Sequence, residues 1–137
     1  MEAGTSDKEF ARAFERGEIA PADFDHRAHV RVAWVYLQEA PSLEAATARM
    51  REAIRRFAAS ANAAQKYHET ITVLWMRVLA EVSARVTGPC ELEALLEQHP
   101  ELADKNLPLR YYTRERLFSD EARQRWLTPN LQLPTPK

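Results

Sequence analysis

Three of the four histidines in this chain fall where two helices begin, and their spacing suits a metal ion. His26 and His29 form an H-x-x-H pair in Phe24-Asp25-His26-Arg27-Ala28-His29, and His68 stands in Lys66-Tyr67-His68-Glu69-Thr70. Residues three apart on a helix project to the same side, so the pair can chelate one ion. His68 then supplies a third nitrogen. Three protein ligands with one open position is the plan of catalytic zinc. Two histidines and a carboxylate is the plan of non-haem iron, with Glu69 as the carboxylate. The expectation is one divalent ion, zinc or iron, with copper as an alternative, held by His26, His29 and His68. Zinc implies hydrolase or lyase chemistry through bound hydroxide, and iron or copper implies an oxidoreductase.

Glu69 follows His68 directly and points about 100° away around the helix. It reads as a general base, as an outer partner of a ligating histidine, or as a plain complement to its own helix end. Tyr67 joins it as a candidate wall or catalytic group. Arg110, Tyr111 and Arg114, in Leu107-Pro108-Leu109-Arg110-Tyr111-Tyr112-Thr113-Arg114, form a polar and aromatic loop. Folded over the histidine end, it would hold an anionic group of a small substrate through arginine. Packed on the bundle instead, it is only a surface wrap.

Helices must bring these residues together. Ser6 followed by Glu9 resembles a capping box and opens a short helix to about Arg16, closed by Gly17. Asp25 caps a helix from His26 to Glu39, with His26, His29, Val30, Ala33 and Leu37 on one stripe. Ser42 caps a third, from Leu43 to about Ala59. The fourth, from about His68 to Val86, carries Ile71, Thr72, Trp75, Leu79 and Val82, and Gly88-Pro89 ends it. Short helices follow at Glu91 to Gln98 and from Ser119 to about Trp126. Six of the eight prolines lie from Pro89 onward, and the tail from Thr128 is proline-rich and extended. No alternating run or Gly/Asn turn marks a strand.

The fold expected is therefore all-α: a bundle of four principal helices, short extra helices and an irregular proline-rich C-terminal wrap. One domain covers 1–137, with an N-terminal helix and connector at 1–23, a histidine-bearing core at 24–99, and a loop, short helix and tail at 100–137. Short loops make consecutive helices antiparallel, so helices two and four should begin at the same end of the bundle. The three imidazoles should meet there. Helix N-termini disfavour a cation by roughly 0.3–1 kcal/mol, little beside the roughly 10–16 kcal/mol of structural zinc binding. The same field favours an anion at that end.

Composition excludes more than it assigns. The chain has 137 residues, 45% hydrophobic and 28% charged, with net charge −1. That balance lacks the basic excess of a nucleic-acid binder. No apolar run approaches the roughly 20 residues that span a bilayer, and no secretory signal opens the chain. The single cysteine, Cys90, fits a reducing compartment, so a cytoplasmic protein is expected.

The pattern resembles a family of small all-helical bacterial proteins of unassigned function. Phe24-x-His26-x-x-His29 with Trp34, and Tyr67-His68-Glu69-Thr70-x-Thr72 with Trp75, carry the resemblance. Tyr111-Tyr112-Thr113-Arg114 and Ala122-Arg123-x-x-Trp126 with Pro129-x-Leu131 extend it from Phe24 to Pro134. It implies that the histidines and Glu69 form one recurrent constellation, without deciding among metal, anion and acid/base roles. The leading expectation is a metal-dependent enzyme acting on a small anionic metabolite. The alternatives are a metal-free acid/base enzyme using His68 and Glu69, or a non-catalytic module that binds a small molecule or pairs as a homodimer.

Overall fold

In a computed structural model, residues 7–85 and 91–131 are described. The Ser6 cap, the Val86 to Cys90 stretch with its Gly88-Pro89 stop, and the tail beyond Leu131 lie outside them. Seven helices form among the described residues: α1 Asp7–Glu15, α2 His26–Glu39, α3 Leu43–Ser60, α4 Glu69–Ala84, α5 Leu92–Gln98, α6 Arg114–Leu117 and α7 Asp120–Gln124. Short 3₁₀ turns at Pro21–Asp23, Ala64–Lys66, Pro100–Ala103 and Leu107–Arg110 join them, and no strand occurs among the described residues. The protein is all-α, as its patterning requires. No helix among these residues is long and apolar enough to cross a membrane.

The caps fall where the sequence puts them. Asp25 Oδ1 accepts the Ala28 amide at 2.9 Å and Ser42 Oγ accepts that of Ala45 at 3.1 Å, each satisfying an orphan donor of the first turn. Gly17, at φ 77°, turns the chain out of α1 so that the Glu18 amide reaches the Ala13 carbonyl at 2.9 Å. The final helix expected from Ser119 to Trp126 is shorter and has a companion. Thr113 caps α6 through the Arg116 amide, and Ser119 caps α7 through that of Ala122.

α2 packs against α1, α3 and α4, and α4 against α2, α3 and α7. The core between them holds Val32, Ala33, Tyr36, Met50, Leu74, Trp75, Met76 and Leu79. Phe14, Phe24 and Phe57 pack at 4.5–5.0 Å between centroids, Phe14 stacked on Phe24 and Phe57 tilted against both, and lock α1 and the α2 entry onto α3. The C-terminal third is irregular but firmly seated. Leu102, Leu107, Tyr112, Leu117, Ala122 and Leu127 are buried in succession, so this wrap completes the core.

Candidate functional site

The three imidazoles do not converge. The His26 ring lies 4.6 Å from Trp75, not beside His68. From His68 to Trp75 the chain climbs about 10 Å at roughly 1.5 Å per residue. The His26 ring thus packs on a residue two turns beyond His68 along α4. Among the described residues, no group of three or more His, Cys, Asp or Glu side chains is arranged to hold a metal ion.

Each histidine has a different local role. His26 Nε2–H donates to the Leu102 carbonyl at 2.9 Å and ties the wrap to α2. His29 stacks on His26 at 6.4 Å and meets Phe24 edge-on at 6.1 Å. Its ring makes no hydrogen bond among the described residues. Burial, with a smaller push from His26, lowers its pKa to about 4 and keeps it neutral.

His68 is not in the first turn of α4 but at its N-cap, with φ −133° and ψ 104°. Nδ1 accepts the Ile71 amide at 3.1 Å, and Nε2–H donates to the Leu117 carbonyl at 2.6 Å. Both ring nitrogens are thus spent, in one consistent neutral tautomer. Burial lowers its pKa, as does the nearby charge of Arg123, while the Leu117 bond partly opposes them. A third metal ligand at this position would first have to surrender the helix cap. The residues present therefore do not fit the three-histidine site expected from sequence.

Glu69 is 8% exposed. Arg51, on α3, grips it through Nε at 2.9 and 3.1 Å and Nη2 at 2.6 Å, and the Tyr67 hydroxyl donates to Oε1 at 2.6 Å. Burial alone would raise this carboxyl. The bonds from Arg51 and Tyr67, and the charges of Arg51 and Arg55, outweigh it and hold the pKa below the ordinary carboxylate value. Burial and the Glu69 bond push Tyr67 up to about 12. At neutral pH Glu69 is a committed carboxylate and a poor proton acceptor. The same holds of His68, whose acceptor nitrogen is in the cap. Neither is placed for the acid/base role expected of them.

Saturating Glu69 has a consequence one turn along α3. The Arg55 guanidinium lies over the Tyr67 ring, 4.9 Å from its centroid. None of its donors has a protein acceptor among the described residues. It lines a cleft of about 520 Å³ with Ala64, Gln65, Tyr67, Asp120, Arg123 and Gln124. Ala64 and Gln65 belong to the 3₁₀ turn before α4, and the last three to α7. The volume is within the roughly 300–1,000 Å³ of small-molecule sites.

The Tyr67-to-Thr72 segment builds this cleft. His68 holds the Leu117 carbonyl just ahead of α7. Thr70 Oγ1 donates to the Arg125 carbonyl at 2.8 Å and accepts the Leu127 amide at 3.1 Å just after it. Thr72 Oγ1 closes back on the His68 carbonyl at 2.9 Å. Arg123 Nη2 donates to the Gln65 carbonyl and joins the two walls. The start of α4 therefore clamps both ends of the helix that carries Asp120, Arg123 and Gln124.

The arginines expected to supply an anion contact lie elsewhere. Arg110 and Arg114 are exposed, and neither lines the cleft. Tyr111 lines a separate pocket of about 130 Å³ with Val78, Glu81, Val82, Arg85, Glu101 and Leu107. The cleft's own cations, Arg55 and Arg123, stood in plain view in the sequence. Arg55 reads there as one more charge on the outer face of α3, with no signal that its neighbour Arg51 consumes Glu69. No family model matches this chain, and no curated protein or solved structure matches it either.

Proposed function

We propose that this protein binds a small anionic metabolite in the cleft between α3, the Ala64–Lys66 turn and α7. The observation that carries the reading is Arg55. An arginine lying over an aromatic ring, lining a cleft and making no hydrogen bond or ion pair of its own among the described residues, is pre-organised for an anion. Its natural partner, Glu69, is occupied by Arg51 and Tyr67. Arg123 adds a second cation, fixed by its bond to Gln65 and so low in the entropy that binding must remove. Tyr67 forms the floor and bears Arg55 on its ring. The protein is then a small-molecule-binding module.

The test is isothermal titration of the full chain with inorganic phosphate and with succinate, repeated for Arg55→Gln and Arg123→Gln. Each substitution removes charge-assisted bonds of about 1.5–3 kcal/mol, so each should weaken binding by roughly 10- to 100-fold. Circular dichroism should be unchanged, because both side chains lie at the surface of the cleft. Binding of equal strength in wild type and both variants would defeat the proposal.

A further inference from the structure

The cleft carries both signs of charge. Asp120, at the first position of α7, lines it together with Arg55 and Arg123. Asp120 forms no ion pair or hydrogen bond among the described residues, and neither arginine pairs with it. Several surface charges elsewhere find each other. Arg16 pairs with Glu18, Arg56 with Glu52, Arg85 with Glu81 and Arg125 with Glu121. Around the cleft, two guanidiniums and one carboxylate face the same space and remain unjoined. Arg55 lies over the Tyr67 ring and Arg123 donates to the Gln65 carbonyl, and Asp120 pairs with neither. The side-chain amides of Gln65 and Gln124 complete the polar lining.

We infer that the ligand is a small zwitterion of the amino-acid kind, its carboxylate held by Arg55 and Arg123 and its ammonium by Asp120. This rests on the anion-binding reading above and narrows it. A simple dianion would satisfy the arginines but face the Asp120 carboxylate, a like-charge contact that costs affinity. An α-amino acid presents a carboxylate and an ammonium a few ångströms apart and bridges the three groups. The volume of the cleft leaves room for its side chain.

The experiment compares free amino acids with their deaminated carboxylates on the full chain by titration calorimetry. Suitable pairs are L-glutamine against 4-carbamoylbutanoate and L-leucine against 4-methylpentanoate. At least one amino acid should bind about tenfold more tightly than its deaminated partner. Asp120→Asn should erase that difference and leave the deaminated acid unchanged or tighter. Arg55→Gln should weaken both. If the deaminated acids bind as well as the amino acids and Asp120→Asn weakens neither, the zwitterion is wrong and the anion site stands. If no amino acid or carboxylate binds, and phosphate and succinate also fail, both readings fall together.

Discussion

The neutral, half-buried imidazole of His29 makes stability depend on pH in a window that belongs to histidine. Its pKa falls from 6.5 to about 4 on folding. The unfolded chain therefore binds the extra proton between those values, and stability declines as pH falls. It is complete above about pH 7.5 and is lost progressively as pH drops through 6.5 toward 4. With these two pKa values, linkage gives a loss of about 2 kcal/mol between pH 7.5 and pH 5. The full loss approaches about 3 kcal/mol near pH 4. Glu15, Glu39 and Glu69 have pKa values lowered below 4.5, so their contributions survive at pH 5 and fail only at lower pH. The assay is urea unfolding at pH 7.5, 6.5, 5.5 and 5.0, followed by the fluorescence of buried Trp34 and Trp75. His29→Gln keeps a polar planar group but cannot titrate. It should lose about 2 kcal/mol less than wild type over this range, whatever its absolute stability. His68, also lowered, accounts for the dependence that remains. If His29→Gln falls with pH in parallel with wild type, His29 is not held neutral and the burial inferred for its ring is wrong.

Further outcomes follow from the clamps around the cleft. Glu69→Gln leaves Arg51 without its partner and should cost about 1–3 kcal/mol in urea unfolding, below the roughly 3–5 kcal/mol of a fully buried pair because Arg51 is 34% exposed. Thr70→Val removes the donor to Arg125 and the acceptor for Leu127, and should cost about 1–3 kcal/mol while speeding amide exchange in α7. Trp75→Ala empties the centre of the core and should cost about 3–5 kcal/mol. Elemental analysis after incubation with zinc and dialysis should find well under one ion per chain, because both His68 nitrogens are engaged. One tightly held ion per chain, lost in both His26→Ala and His68→Ala, would restore the three-histidine site.

The helices were legible because their signals are local. Asp25 and Ser42 sit one residue before apolar stripes, and both cap as written. The irregular wrap was legible in outline from its prolines. Its seating was not, since Leu102, Leu107 and Leu117 read as scattered leucines until the wrap supplies the last layer of the core. The histidine site failed on a quantity that sequence does not carry. Loop lengths give the order and direction of helices, but the axial offset between α2 and α4 comes from side-chain packing. His26 packs on Trp75, two turns along α4 from His68, and both nitrogens of His68 are engaged by Ile71 and Leu117. Arg55 was illegible for a related reason. Four arginines crowd α3, and which of them is left uncompensated depends on which one reaches across to α4.

Four adjacent residues at the start of α4 face four different partners. Tyr67 carries Arg55 on its ring and bonds Glu69; His68 holds Leu117; Glu69 holds Arg51; Thr70 holds the segment from Arg125 to Leu127. A segment this densely bonded invites reading as a catalytic motif. Here every polar atom that would do chemistry is already spent on holding the chain. Glu69 illustrates the division of labour. A buried carboxylate with one arginine and one tyrosine on it contributes nothing as a base, yet it decides which α3 cation is left for a ligand. Removing it should therefore do more than destabilise. In Glu69→Gln the negative charge that interacts with Arg55 is gone, so affinity for a divalent anion such as phosphate or succinate should rise even as stability falls. A variant that lost stability and affinity together would instead make Glu69 a support of the cleft's shape.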